Sequence, residues 1–203
     1  IYLPRFICDA LLEPVQRTET NYRFYEITPE LEINGDVSLS GNDLLLYTNY
    51  FGTKDKYCYR LAEKYGNKLV LDFSQAFFAT PPAKSHTFYS PRKFVGVSDG
   101  GCLYTTVRLE GSLERDVSID RYSHLIGRYD LGAEAAYDLF KVNDASLAGV
   151  GLKKMSVSTE RILSSIEYSG PCEKTKRYLP GSIKNSFEPV NSKVPCIVIY
   201  FKS

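Results

Sequence analysis

The 203-residue sequence has little net charge, no long apolar run and no paired-cysteine motif. Its net charge is +1, with acids and bases mixed along the chain, which indicates neither a nucleic-acid-binding surface nor an anionic-membrane surface. No apolar run approaches the roughly 18–20 residues that a membrane-spanning helix requires. No cleavable signal pattern opens the sequence. We therefore expect a cytoplasmic protein that binds neither nucleic acid nor membrane.

Cysteine and histidine are both sparse, and their spacing favours neither disulfides nor a metal site. The five cysteines are odd in number and widely spaced, at Cys8, Cys58, Cys102, Cys172 and Cys196. They form no CxxC pair, and His86 and His124 do not complete a ligand cluster with them. We expect reduced, mostly buried thiols, no metal site, and structural or surface roles for both histidines.

The first hundred residues alternate short apolar runs with helix-period segments, which is typical of an α/β layered domain. The run at 44–47 is apolar throughout, as expected for a strand buried on both faces of a parallel sheet. The predicted strands span 1–3, 22–27, 43–50, 68–72, 86–90 and 102–107. The predicted helices span about 8–16 and 54–65, and Gly66 supplies the stop of the second helix.

The character of the sequence changes after about Leu113. Apolar residues at helical spacing predict a helical stretch over 118–142 that is interrupted near Gly132. A further helix is predicted over 158–168, with Ser158 as its N-cap, and a final strand over 196–201. We therefore predict two units, a partial α/β domain at 1–113 and a more helical, partial second domain at 114–203.

An acid at a strand end, a lysine after the next strand and an Asp-Gly-Gly turn follow one another as Asp72, Lys93 and 99–101. Each feature is common alone, but together they suit an enzyme that uses pyridoxal 5'-phosphate (PLP). Such an enzyme needs a lysine amine to form a Schiff base with the cofactor aldehyde. It also needs an acid against the pyridine nitrogen, and the tip of a central strand holds such an acid rigidly.

These features also carry a family resemblance, through the segments 72–75 (DFSQ), 88–93 (FYSPRK) and 99–101 (DGG). They resemble the DegT/DnrJ-type nucleotide-sugar aminotransferases, which are fold-type I PLP enzymes related to aspartate aminotransferase. Lys93 precedes Asp99 by six positions, as the lysine precedes an acid-Gly-Gly turn in that family. The segment 49–52 is similar to the family's His-x-Tyr-Gly, with Asn49 in place of histidine. The resemblance covers about the first 107 residues.

The resemblance implies a role for each matching residue. Lys93 would hold PLP and carry a proton between the substrate carbon and the cofactor, and Asp72 would pair with the pyridinium nitrogen. Gln75 and Asn49 would lie near the oxygen side of the ring, and Ser90 or Thr87, although out of register, would replace the family's phosphate-binding serine. The implied reaction is the transfer of an amino group from glutamate to a keto sugar on a nucleotide. The implied assembly is a homodimer, and the implied fold is a partial three-layer large domain followed by a partial small domain.

The sequence departs from the family pattern at three points. Phe88 stands where the family has its phosphate-binding serine, and Cys8 stands near the ring-stacking position, with Phe6 close by. The turn that cradles the phosphate would precede Ile1, so we expect either a fragment of a larger protein or a reduced relative. Arg92 suits a phosphate, a substrate carboxylate or a surface position equally well.

Two other functions remain open from the sequence. One is a different PLP chemistry, such as dehydration or decarboxylation, which uses the same lysine and acid. The other is a catalytically silent α/β module that serves binding or assembly, with Lys93 merely solvated.

Overall fold

The computed structural model describes residues 1–107 and 111–166, so the predicted strand at 196–201 lies outside the described residues. Six strands are present in this part of the chain: β1 (Tyr2–Pro4), β2 (Arg23–Tyr25), β3 (Leu45–Thr48), β4 (Leu69–Asp72), β5 (His86–Tyr89) and β6 (Cys102–Tyr104). The helices are α1 (Asp9–Arg17), α2 (Asp55–Tyr65), α3 (Ser123–Asp130), α4 (Tyr137–Ser146) and α5 (Val157–Ser165).

The strands form one sheet in the order β2-β1-β3-β4-β5-β6. Every neighbouring pair is parallel except β5 and β6, which run antiparallel. The α/β prediction is confirmed, and the six strands predicted within the first 107 residues are all present, in most cases shortened at their ends. The chain leaves β1 towards β2 and then returns to build the rest of the sheet from β3. This reversal creates a switch point, and open α/β sheets bind ligands at the carboxyl ends of the strands near such a point.

Apolar side chains on alternate strand positions cover the two faces of the sheet. Leu45 and Tyr47 of β3 point into a large core that also contains Cys58 and Leu61 of α2 and Leu163 of α5. Leu46, between them, belongs to the opposite face. There it packs with residues of β1, α1 and β5, in a cluster of Leu3, Leu11, Leu46 and Phe88. Helices therefore cover both faces, which explains why strands β3 and β4 are almost wholly apolar.

The helical stretch predicted at 118–142 is present, and its predicted interruption near Gly132 is confirmed. Residues 131–136 separate α3 from α4, and Gly132 adopts a left-handed conformation there (φ 90°). The predicted N-cap Ser158 is wrong by two positions, because Ser156 is extended and its hydroxyl oxygen accepts the backbone N–H of Thr159 at 3.2 Å. The predicted helix stop at Gly66 is confirmed, with φ 55°.

The thiols follow the sequence expectation in part. Cys58 and Cys102 are buried, whereas Cys8 is exposed at the start of α1. Cys172 and Cys196 lie outside the described residues. No group of three or more metal-ligating side chains and no helix long and apolar enough to cross a membrane occurs in the described ranges.

Candidate functional site

A cavity of about 310 Å³ opens at the carboxyl ends of β1, β4 and β5. Its size lies at the lower end of the range for small-molecule sites. Three residues predicted from the sequence, Asp72, Ser90 and Lys93, line it together. Cys8 lines the side of the cavity next to β1. Phe88 of β5 lines the cavity too.

The carboxyl group of Asp72 is fixed at the tip of β4. It is only 3% exposed, and two neighbours donate to it: the backbone N–H of Ser74 at 2.8 Å and the hydroxyl of Thr48 at 3.3 Å. Thr48 can reach it because the register of β3 and β4 places the two residues side by side. Burial raises the pKa of Asp72, while the hydrogen bonds from Ser74 and the charge of Lys93 act in the opposite direction.

Lys93 ends a short 3-10 turn, Pro91–Lys93, that follows β5. Its side chain is exposed and lines the cavity, and it forms no ion pair with any described residue. The preceding residue behaves differently, because the side chain of Arg92 is 7% exposed and pairs with Asp144 of α4 at 3.1 Å. The turn therefore holds one cation in a structural contact and leaves the next one available to a ligand.

Two predicted site residues do not line the cavity. The side-chain carbonyl of Gln75 accepts the backbone N–H of Phe51 at 2.9 Å and so supports a residue held at φ 55°. Asn49 is fully buried, donates to Asp55 at 2.7 Å and accepts the backbone N–H of Lys54 at 2.9 Å. Both side chains are used to shape the connection from β3 to α2, which accounts for their presence without a ligand.

The Asp-Gly-Gly turn likewise has a structural task. Asp99 is fully buried and accepts the backbone N–H and the hydroxyl of Ser156, at 3.0 and 3.1 Å, together with the hydroxyl of Thr159. Gly100 has φ 100°, and a Cβ there would lie 3.0 Å from the side chain of Thr159. The turn therefore anchors the first residues of α5 beneath the loop that carries Lys93.

The sequence analysis missed the helical wall of the cavity, formed by His124 and Arg128 of α3 with Phe140 of α4. His124 and Arg128 are four residues apart, the spacing that places two side chains on one helix face. That spacing was visible in the sequence, but nothing local indicates that α3 folds over this edge of the sheet. The structural role expected for His86 is confirmed, because its ring nitrogens contact the hydroxyl of Thr105 at 2.6 Å and the carbonyl of Asn67 at 3.0 Å.

Of the two residues near the expected ring-stacking position, Phe6 and Cys8, only Cys8 lines the cavity. Phe6 does not line the cavity: it is 59% exposed and stacks on Tyr50, with the ring centroids 5.4 Å apart. Cys8 is the residue at the cavity wall on this side. No protein-family model, no curated protein and no solved structure matches this chain.

Proposed function

We propose that this chain has the fold of a partial fold-type I large domain, holds PLP in the cavity through Lys93, and acts as an aminotransferase that moves an amino group from glutamate to a keto sugar. The observation that carries the proposal is the meeting of Asp72 and Lys93 on one cavity, although 21 positions separate them in the chain. The cavity lies at the carboxyl edge of the sheet, where ligands of open α/β sheets bind.

The residues present fit the reactive end of PLP. A buried carboxyl group held by Ser74 and Thr48 is well suited to pair with a cation, and the protonated pyridine nitrogen is such a cation. An amine without an ion pair among the described residues is free to attack an aldehyde. Once bound, PLP supplies an electron sink for the bond-breaking step.

The positions of Asp72 and Lys93 indicate what each would do in the proposed reaction. Asp72 is held by Ser74 and Thr48, so its carboxyl group keeps one orientation and favours the protonated ring nitrogen. The Lys93 amine would carry a proton between the α-carbon of the amino donor and the carbon of the acceptor. The buried pair of Arg92 and Asp144 ties the lysine's turn to α4, which limits how far the amine moves.

Covalent attachment tests the proposal directly. The protein is incubated with PLP, reduced with borohydride and digested, and the modified peptide is located by mass spectrometry. We expect stable modification at Lys93 and a visible absorbance band that Lys93→Ala abolishes. Lys56→Ala is the matched control, since Lys56 is an exposed lysine on α2 away from the cavity, and it should leave both signals unchanged.

A second variant tests the role of Gln75. Because Gln75 supports Phe51 rather than the cavity, Gln75→Ala should retain the Lys93 adduct. Half-reactions with glutamate then separate aminotransfer from dehydration, because only aminotransfer leaves the nitrogen on the cofactor. Equal labelling of Lys93 and Lys56 would contradict the PLP proposal and favour a catalytically silent α/β module.

A further inference from the structure

One wall of the cavity carries polar groups for which the proposed chemistry has no use. His124 is 8% exposed, and its Nδ1 has no hydrogen-bond partner among the described residues although it lines an open cavity. A buried polar atom without a partner is unfavourable, so a ligand that enters beside this ring and pairs with it would be favoured. Its ring packs edge-on against Phe140, with the centroids 5.9 Å apart, which fixes its direction.

The groups around His124 make this part of the cavity positive. Arg128 lies one helical turn further along α3, is exposed, lines the same cavity and forms no ion pair with a described residue. Arg92 also lines the cavity but is paired with Asp144, which leaves Lys93 and Arg128 against the carboxylate of Asp72. Burial, and then the charge of Arg92, lower the pKa of His124. An anion placed beside the ring would reverse that effect.

We propose that His124 and Arg128 form a phosphate-binding site on the α3 wall of the cavity. Arg128 supplies a guanidinium that matches two phosphate oxygens, and His124 supplies a buried N–H at a fixed position. The phosphate belongs either to the cofactor or to a phosphate-bearing substrate. In both cases the source rests on the proposed function, whereas the binding of phosphate itself does not.

The two histidines of the chain allow a direct test by NMR. Inorganic phosphate is titrated into the PLP-free protein while the ring proton signals of both histidines are followed. We expect the His124 signal to shift with saturation and the His86 signal to stay fixed, because His86 is engaged by Thr105 and Asn67. Arg128→Gln should weaken phosphate binding at least about 10-fold, as expected for the loss of a charge-assisted pair.

Arg161→Gln is the matched control, because Arg161 is an exposed helical arginine of α5 that does not line the cavity. It removes the same charge and should leave the phosphate affinity unchanged. The inference is overturned if His124 does not respond, if both histidines shift together, or if Arg128→Gln and Arg161→Gln weaken binding equally.

Loading with PLP or with pyridoxal, which lacks the phosphate, distinguishes the two sources. If PLP but not pyridoxal shifts the His124 signal and the loaded protein no longer responds to phosphate, the site holds the cofactor's phosphate. If the PLP-loaded protein still binds phosphate at His124, the site holds a substrate phosphate. If phosphate shifts the His124 signal but Lys93 forms no adduct, the PLP proposal is wrong and the phosphate site stands. If Lys93 forms the adduct but phosphate does not shift the His124 signal, the phosphate site is wrong and the PLP proposal stands.

Discussion

Replacing Asp99 by alanine should destabilise the protein strongly, because the residue accepts hydrogen bonds from three donors at a position with no access to water. The backbone N–H of Ser156 has no alternative acceptor in the described part of the chain. The hydroxyl of Ser156 keeps a contact with Ser118 at 2.7 Å, and the hydroxyl of Thr159 keeps only a long contact with Tyr122 at 3.5 Å.

The expected magnitude follows from these contacts. A buried donor left without an acceptor costs about 1–3 kcal/mol, so the Ser156 N–H accounts for about 2 kcal/mol and the Thr159 hydroxyl for about 1 kcal/mol. The Ser156 hydroxyl adds little because it can donate instead to the hydroxyl of Ser158 at 3.2 Å. We therefore expect Asp99→Ala to lower the free energy of unfolding by about 3 kcal/mol. Asp99→Asn keeps one acceptor oxygen and should cost about half as much.

Urea unfolding measures this change, and tyrosine fluorescence is a suitable signal since the chain has 16 tyrosines and no tryptophan. Asp36→Asn is the control, because Asp36 is an exposed acid whose partner Lys64 is also exposed, and surface pairs contribute little. If Asp99→Ala unfolds at the same urea concentration as Asp36→Asn, the buried network does not anchor α5 and the reasoning fails.

Two further predictions concern the site and the turn. Burial raises the pKa of Asp72 above its ordinary 3.8, so its ionisation costs the folded state stability as pH rises through the raised pKa. Asp72→Asn should therefore be more stable than wild type at neutral pH, with urea midpoints that converge below pH 3.8, and the reverse order would contradict this. Gly100→Ala and Gly132→Ala both force alanine to positive φ, but only the first meets a neighbour, Thr159 at 3.0 Å. We expect Gly100→Ala to have a lower melting temperature than Gly132→Ala, with a free energy of unfolding lower by about 1–3 kcal/mol. Equal melting temperatures of the two variants would show that the contact with Thr159 relaxes freely.

The local pattern was enough to predict the sheet and the helix α2. The apolar run of β3 and the glycine after α2 act through neighbouring residues, so their effect is visible in the sequence. The cap of α5 was displaced by two residues because Asp99, 57 positions before Ser156, decides which serine ends the approach to the helix. A contact over that distance leaves no periodic signal.

The candidate site divides in the same way. Chain order and residue type indicated Asp72 and Lys93, since an acid at a strand end and a lysine after the next strand occupy the carboxyl edge of any parallel sheet, and the family resemblance added Ser90. The family resemblance assigned Gln75 and Asn49 to the site, yet their amides are engaged by Phe51, Asp55 and Lys54. Residue type gives the hydrogen bonds that an amide can make, and only the packed loop decides which it does make.

The sequence by itself determined the α/β class and the lysine and acid at the sheet edge, because alternation and strand ends are local properties. Only the tertiary structure decided which cations face the cavity. It paired Arg92 with Asp144, 52 residues later, and brought His124 and Arg128 over the same edge. The Lys93 amine forms no ion pair with a described residue, because the buried acid on α4, Asp144, pairs with the neighbouring Arg92 instead.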